Sequence, residues 1–450
     1  MDILALLQCL QPYVALTTLR HFSRIALALL VMTGRVTMLG LSRWAGQGGS
    51  YRTVQRFFYT QAIPWTALFW TFFQHHLHRS KHVYLLAGDE VVVSKAGQET
   101  YGVDRFYSSL YGKPVPGLSF FVLSVVDVQA RRSFPMRVEQ VIRSDAEKAA
   151  RKAKAEAKRQ KRVTEKHPRG RPKGSRNKNK AEVELTPELL RIKGMVDALL
   201  KQIAGFLSLT YLVLDGHFGH RNALHMVQGC GMHLISKLRY DSALYFRYAG
   251  PYNGHGHHRQ YGDKLDYCRL PDEYLKETAV DKNIQTCIYQ APLLHKEFSQ
   301  TLNIVIIVKT NLQTGARAHV VLFSSDLKLP YAKLMDYYCL RFQIEFNFRD
   351  AKQYWGLEDF MNVTPTAVTN AANLALFMVT LSYRLLCDFR QTDPHASLLD
   401  LKAHCRGYKY VEETIKMLPQ KPEPILFAQI LSTVARLGRI HIFQPACNPS

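Results

Sequence analysis

Hydrophobic positions along the chain follow two periods, and the change between them divides the sequence. Up to about residue 75, leucines and aromatic residues recur at helical spacing, which predicts a helical bundle. From Val83 onward the pattern changes to apolar runs of strand length, at 83–93, 118–128 and 134–142. Three consecutive strands are therefore predicted after the helical part.

The second half of the chain returns to alternating elements. Helical spacing predicts helices over 187–206, from Arg221, over 338–352 and over 367–386, and buried apolar runs predict strands over 209–215 and 233–238. Residues 240–325 are rich in Tyr, Gly and β-branched residues and indicate mostly β structure. The order of three strands, helix, strand, helix, strand, β-rich insert and helix is typical of a ribonuclease H-like α/β fold.

These changes of pattern predict seven segments. They are a helical DNA-binding domain (1–75), the ribonuclease H-like core in three parts (76–142, 186–239 and 329–390), a basic insertion (143–185), a β-rich insertion (240–328) and a helical tail (391–450).

One part of the helical segment has the spacing of a helix-turn-helix. Residues 36–45 are helical in pattern, 46–50 form a Gly-rich turn, and 51–58 make a short helix with Arg52 and Arg56. The two arginines are candidate DNA contacts. Plain helical packing around a Gly turn is the alternative.

The charge of the chain indicates its class of partner. Its 450 residues carry 59 Lys+Arg against 36 Asp+Glu, a net charge of +23. A strongly basic globular chain usually binds a polyanion, most often nucleic acid, with a membrane surface as the alternative. No apolar run of the length needed for a membrane span is expected, the longest candidate being 25–32. The eight cysteines contain no Cys-x-x-Cys pair, which indicates reduced core residues rather than a disulfide framework or a zinc site.

Much of the positive charge lies in one low-complexity segment. Residues 143–182 contain sixteen Lys+Arg and five Asp+Glu, or +11 of the +23, and almost no large apolar residue. Residues 145–161 are predicted to form a solvated helix. Arg169-Gly-Arg171-Pro172-Lys173 resembles an AT-hook, an extended and slim segment that fits a narrow A·T minor groove. A charged surface linker is the alternative.

Four polar residues of the segment 338–352 fall on one stripe if it is a single helix. Tyr338, Arg341, Glu345 and Lys352 are three, four and seven residues apart, which places them within an arc of roughly 60°. A carboxylate, two cations and a phenol on one face suit a site where the carboxylate holds a metal ion and the cations hold phosphates.

Three acids are candidates for that metal site. Asp89 lies in the first predicted strand, Asp215 ends the fourth, and Glu345 lies on the late helix. Clustered carboxylates repel one another unless a cation lies among them, and hard oxygen ligands suit Mg²⁺ or Mn²⁺. Two such ions can drive an in-line displacement at phosphorus.

Each acid also has a structural alternative. Glu90 rivals Asp89, and strand alternation allows only one of the two to serve. Asp215 precedes Gly216 and suits a turn, and Glu345 could pair with Arg341 or Arg349 along its helix.

At these residues the sequence resembles a known family. The spacing Tyr338, Arg341, Glu345, Lys352 is similar to the YREK signature of bacterial DDE transposases of the insertion-sequence-four family. Asp215-Gly-His-Phe218 resembles the second-aspartate motif of that family, and 88–97 with 100–103 resembles the first. The resemblance covers about 76–390, and the N-terminal helical part fits it too.

The resemblance implies cut-and-paste transposition by a homodimer on double-stranded DNA. The dimer would hold the terminal inverted repeats, release the element and join its 3′ ends to target DNA. Asp89, Asp215 and Glu345 would bind two Mg²⁺ or Mn²⁺ ions, and Tyr338, Arg341 and Lys352 would contact phosphates. Relatives that form hairpin intermediates use a tryptophan in the β insertion, which residues 240–325 lack.

Two other functions remain open from the sequence. An inert nuclease-like fold could act as a DNA-binding regulator, and a nuclease for repair or defence would cut without transposing. In every case no membrane partner is expected, and the location expected from the resemblance is the bacterial cytoplasm, in association with the nucleoid.

Overall fold

The computed structural model describes residues 2–108, 111–163, 183–203, 205–252 and 254–441. Arg169, Arg171 and Lys173, the residues of the AT-hook-like motif, lie outside these ranges, so their minor-groove role stays a prediction. The helix expected over 145–161 is confirmed, since a helix spans Asp145–Val163.

Twelve strands form one mixed sheet. Their bounds are β1 Tyr84–Ser94, β2 Asp104–Ser108, β3 Lys113–Asp127, β4 Arg132–Gln140, β5 Tyr211–Val213, β6 His233–Leu238, β7 Leu244–Arg247, β8 Tyr261–Lys264, β9 Leu275–Asp281, β10 Ile284–His295, β11 Leu302–Asn311 and β12 Arg317–Ser324. The sheet order is β2-β3-β1-β5-β6-β12-β11-β10-β7-β8, while β4 pairs with β3 and β9 with β10.

The centre of the sheet changes from antiparallel to parallel pairing at β1. Along one edge β1 pairs antiparallel with β3 over its whole length. Along the other edge it pairs parallel with β5 at only two positions, Leu86 with Leu212 and Ala87 with Val213. β5 in turn pairs parallel with β6. The edge of β1 beyond Ala87 therefore has no partner strand on the β5 side among the described residues.

The β-rich segment predicted after residue 240 contributes β7–β12 and continues the same sheet. β12 pairs antiparallel with β6, from Val321 with Leu238 to Ser324 with Ile235. Backbone hydrogen bonds thus join this segment directly to the strands that carry the candidate acids.

The helices pack on the faces of the sheet and around one another. Their bounds are α1 Ile3–Leu7, α2 Leu16–Val31, α3 Met38–Trp44, α4 Tyr51–Tyr59, α5 Trp65–His76, α6 Asp145–Val163, α7 Pro187–Ile203, α8 Arg221–Gly229, α9 Tyr331–Leu340, α10 Gln343–Trp355, α11 Pro365–Thr392, α12 Leu398–Lys416 and α13 Pro424–Val434.

α11 is the central support of the helical layer. It contacts β4 and the helices α4, α5, α10 and α12. Phe377 of α11 lies 5.0–6.3 Å, between ring centroids, from Phe22, Trp65 and Phe69 of the N-terminal helices. The two ends of the chain therefore share one aromatic core.

The expectation that no segment is long and apolar enough to cross a membrane is wrong. Among the described residues α11 meets that test by length and composition. Its apolarity has another cause, because most of its residues are buried against the sheet and the neighbouring helices.

Two further sequence expectations differ from the structure. β2 is missing from the predicted strands, because Asp-Arg-Phe-Tyr-Ser has only one buried residue, Phe106, and no apolar run. The strand predicted over 209–215 is shorter, because only Tyr211–Val213 pairs with both neighbours before the chain leaves the sheet at Asp215.

A polar residue joins α11 to the N-terminal helices. Asn370 is 3 % exposed. Its side chain accepts from Trp65 Nε1 at 2.8 Å and donates to the carbonyls of Phe58 and Thr60, both at 2.9 Å. Three groups from the end of α4 and the start of α5 thus depend on one amide.

Replacing this amide should destabilise the fold. Asn370→Ala leaves the indole N–H and two carbonyls without that partner, so we expect a loss of about 3 kcal/mol in the free energy of unfolding. Chemical denaturation monitored by tryptophan fluorescence measures it. Asn373→Ala is the matched control, since Asn373 is equally buried but donates only to Thr369 of its own helix. Equal losses in the two variants would contradict the joining role.

A buried lysine couples the helical layer to pH. Lys402 of α12 donates to the Leu29 carbonyl of α2, and its ammonium lies 4.5 Å from the ring centroid of Trp355 in α10. Burial, with a smaller contribution from the Arg406 charge, lowers the pKa of Lys402 from 10.5 to about 7. The folded state thus releases a proton that the unfolded state still holds between these two values.

The stability conferred by Lys402 should therefore increase as pH rises through that window. The free energy of unfolding of the wild type, relative to Lys402→Met, should rise by on the order of 1 kcal/mol per pH unit above about pH 7. Denaturation curves at several pH values between about 7 and 10 measure the difference. A difference that stays constant with pH would show that Lys402 is charged in the folded state.

Candidate active site

The register of the parallel strands places Asp89 beside Asp215. Ala87 pairs with Val213, and each acid lies two residues further along its own strand direction. Neighbouring strands lie about 4.8 Å apart, and residues two apart share a face. Both carboxylates therefore start from the same edge of the sheet, where the chains of β1 and β5 cease to pair.

Asp215 is fixed by the turn that follows β5. Its side chain accepts from the backbone N–H of His217 at 3.1 Å, which starts a 3-10 turn over Gly216–Phe218. Its backbone carbonyl accepts from Ser236 Oγ at 2.7 Å. The turn role considered from the sequence is thus real, and it leaves the second carboxylate oxygen of Asp215 available.

Asp89 is the most buried of the three acids, with its side chain 17 % exposed. It accepts from the backbone N–H of Glu90 at 2.8 Å and from the guanidinium of Arg341. Burial raises the pKa of Asp89 to about 6 although Arg341 opposes the shift, and the charges of Glu345 and Asp215 raise it further. The three acids therefore act on one another electrostatically in one site.

Glu345 enters this site through Arg341. It lies in the first turn of α10, and one of its carboxylate oxygens is 3.9 Å from Arg341 Nη1. The same guanidinium thus contacts Asp89 and approaches Glu345. The salt bridge to Arg341 considered from the sequence is present, and it lies inside the acidic site rather than apart from it.

The single helix predicted over 338–352 is wrong at two residues. α9 ends at Leu340 and α10 begins at Gln343, with Arg341 and Phe342 between them. Both keep right-handed helical dihedrals, but the hydrogen bonds tighten to three-residue spacing, from Phe342 to Cys339 and from Glu345 to Phe342, each at 3.1 Å. Such a turn rotates about 120° per residue instead of 100°, so a uniform helical stripe does not apply across it.

Tyr338 lies on the α9 side of this joint and still belongs to the site. Burial raises the pKa of its phenol, and the charge of Arg341 opposes the shift, while Asp215 and Asp89 add to it. Tyr338, Arg341, Asp89, Asp215 and Glu345 are therefore brought together.

Lys352, the last residue of the signature, is held by the protein. Its ammonium donates to the Val92 carbonyl of β1 at 2.9 Å and lies 3.0 Å from Glu358. Glu90, the rival of Asp89, accepts from Ser119 Oγ instead. Of the two neighbouring acids, Asp89 is the one that contacts Arg341.

The acids supply hard oxygen donors, which suit Mg²⁺ or Mn²⁺. The raised pKa of Asp89 reflects burial among like charges, and a divalent cation would relieve that repulsion. The residue types therefore fit the metal. Among the described residues, however, no three His, Cys, Asp or Glu side chains form a ready coordination shell. Arg341 is the positive charge that lies among them.

An ion pair that sequence reasoning did not find borders the site. His217 Nε2 lies 3.5 Å from the carboxylate of Glu188, at the start of α7. The hydrogen bond to Glu188 raises the pKa of His217, and the charges of Asp215 and Glu90 add to the effect. Glu188 gave no signal in the sequence, since it lies 27 positions from Asp215 and in a helix of ordinary composition.

The remaining candidates lie elsewhere. Arg52 and Arg56 are exposed on α4, which packs against α2, α3 and α11 in the helical layer. The predicted helix, Gly-rich turn and second helix are present as α3, residues 45–50 and α4, with side-chain caps from Thr37 and Ser50. A DNA contact by either arginine stays a prediction.

One comparison with known proteins gives the family. The model of the DDE superfamily endonuclease family matches residues 6–291, which include Asp89 and Asp215 but end before Glu345. No curated protein matches the chain. The mixed α/β structure with its large mixed sheet agrees with such a nuclease. Because the match spans well over half of the 450 residues, the chain belongs to the DDE superfamily endonucleases.

Proposed function

We propose that this endonuclease is a transposase of the insertion-sequence-four type, which cuts and joins the ends of a mobile element. The observation that carries the proposal is the register of β1 and β5, which sets Asp89 beside Asp215, with Arg341 linking Asp89 to Glu345. A ribonuclease H-like core agrees with three antiparallel strands followed by two parallel ones in the order β4-β3-β1-β5-β6.

In the proposed reaction Asp89, Asp215 and Glu345 hold two Mg²⁺ or Mn²⁺ ions. When bound, such ions activate a water or a 3′-hydroxyl and stabilise the leaving oxygen at phosphorus. Asp89 must be ionised to serve, and the Arg341 guanidinium favours its charged form against the effect of burial. The 3-10 turn and Ser236 hold Asp215 at its strand end.

Binding of the DNA is assigned to the positive residues around this site and on α4. Tyr338 and Arg341 border the acids and can reach a phosphate beside the scissile bond. Arg52 and Arg56 present two exposed cations on one short helix, suited to the phosphates of a duplex. A homodimer on double-stranded DNA would bring two terminal repeats and the target together.

The three acids should be essential for cleavage and dispensable for DNA binding. Asp89→Asn, Asp215→Asn and Glu345→Gln should each slow cleavage about a thousandfold, or ~4 kcal/mol of transition-state stabilisation. The assay is metal-dependent cleavage of a labelled duplex that carries the DNA flanking the coding sequence.

Asp336→Asn is the matched control for these variants. Asp336 lies on α9, two residues before Tyr338, and pairs with Arg131 at 2.8 Å, so its replacement should leave cleavage unchanged. Wild-type cleavage in any of the three acid variants would contradict the assignment. Cleavage without preference for the flanking DNA would identify a nuclease that does not transpose.

The two arginines of α4 should contribute to DNA affinity through charge. Neutralising both, as Arg52→Gln with Arg56→Gln, should weaken duplex binding and reduce the slope of log K against log[salt] by about 2. Fluorescence anisotropy in EDTA measures both quantities. The control neutralises Arg131 and Lys193, whose cations already pair with Asp336 and Asp197 at 2.8 and 2.5 Å. An equal change in both double variants would mean that only net charge matters.

A further inference from the structure

The contacts of Lys352 lie within the protein, at the strand that carries Asp89. Its ammonium donates to the Val92 carbonyl at 2.9 Å and pairs with Glu358 at 3.0 Å, and its side chain is 28 % exposed. Val92 lies beyond Ala87, the last residue of β1 that pairs with β5. Lys352 thus ties α10 to the part of β1 that extends past the parallel strands.

The spacing of residues on the helix matches the spacing on the strand. Asp89 and Val92 are three residues apart, about 10 Å along a strand. Glu345 and Lys352 are seven residues apart, about 10.5 Å along a helix. Arg341 makes the connection near Asp89, and Lys352 makes the one at Val92. With the second connection in place, Glu345 lies level with Asp89.

The loop after α10 holds the other partner of Lys352 in place. Gly356 ends α10 in the left-handed region at φ 80°, where an added Cβ would lie 2.4 Å from the Val36 side chain. Lys95, at the end of β1, donates to the carbonyls of Glu358 and Phe360 at 3.0 and 2.8 Å. Glu358 is therefore anchored to β1 independently of Lys352.

We propose that Lys352 is a positioning residue that sets the separation of Glu345 from Asp89. It acts by fixing the second half of α10 on β1 rather than by gripping a DNA phosphate. The proposal rests on the proposed function, because the separation matters only where both acids serve one metal site. It gives a reason for the seven-residue spacing in the signature.

The test separates metal binding from phosphate contact. Lys352→Met keeps the length of the side chain and removes the donor, so it should weaken Mn²⁺ binding to the full chain at least tenfold, measured by calorimetry. Lys352→Arg keeps donors at a similar reach and should recover most of that affinity. In EDTA, the salt slope of duplex binding by Lys352→Met should equal that of the wild type.

Two results would overturn the positioning role. One is a salt slope smaller by about 0.9, which is the loss of one phosphate contact. The other is unchanged Mn²⁺ affinity in Lys352→Met. Thermal melting checks that the variant folds, and Lys352→Gln, which is shorter and uncharged, replaces it if it does not. The same result is expected for it.

Failure of the proposed function looks different in the same experiments. If the wild type binds no Mn²⁺, or if Asp89→Asn and Asp215→Asn bind it as the wild type does, the acidic site itself is wrongly assigned. If these two variants lose Mn²⁺ and Lys352→Met does not, only the role of Lys352 is wrong. Glu358→Gln keeps the Val92 contact and should retain Mn²⁺ affinity, and a tenfold loss in it would place the decisive contact at Glu358 instead.

Discussion

Repulsion between carboxylates is the constraint around which this site is arranged. The parallel register of β1 and β5 leaves no freedom to separate the backbone positions of Asp89 and Asp215. Glu345 is added from a helix, and Asp89 is largely buried, so its charged form is disfavoured and its pKa is raised to about 6. Arg341 offsets part of this cost through its contacts with Asp89 and Glu345.

The helix that carries Glu345 is stabilised from the side opposite to the acids. Trp355, at the end of α10, is buried, and the ammonium of Lys402 lies over its ring. Asn347 of α10 donates to Ser133 of β4 at 2.7 Å. Glu345 is thus held on a helix with fixed neighbours on the sheet and in the helical layer, as a site that depends on separation requires.

Much of the site could be predicted from sequence because its signals are local. The apolar runs around Asp89 and before Asp215 indicate strands, and the spacing of Tyr338, Arg341 and Glu345 survives the joint at Phe342. What could not be predicted depends on tertiary contacts. The tightened turn at Arg341, the pair of His217 with Glu188, and the burial of α11 each follow from neighbours far away in the sequence. β2 escaped because an edge strand needs only one apolar face, and Phe106 alone supplies it.

The strands between Asp215 and Glu345 explain how the chain returns to the acids. β6 runs parallel to β5, so it leads toward the same edge of the sheet as Asp215. β12 runs antiparallel to β6 and ends at Ser324, level with Ile235 and Val213, so the chain is brought back below that edge.

From there α9 can only run upward. Tyr337 of α9 packs on Tyr211 of β5 with ring centroids 5.6 Å apart, and the Tyr211 hydroxyl donates to Asp326 just before the helix, at 2.7 Å. Ten residues of helix span about 15 Å, enough to carry Tyr338 and Arg341 from the level of Tyr211 to that of Asp215. The β-rich insertion therefore has a structural role, because its last strand gives α9 the starting point and direction that bring Glu345 to the two aspartates.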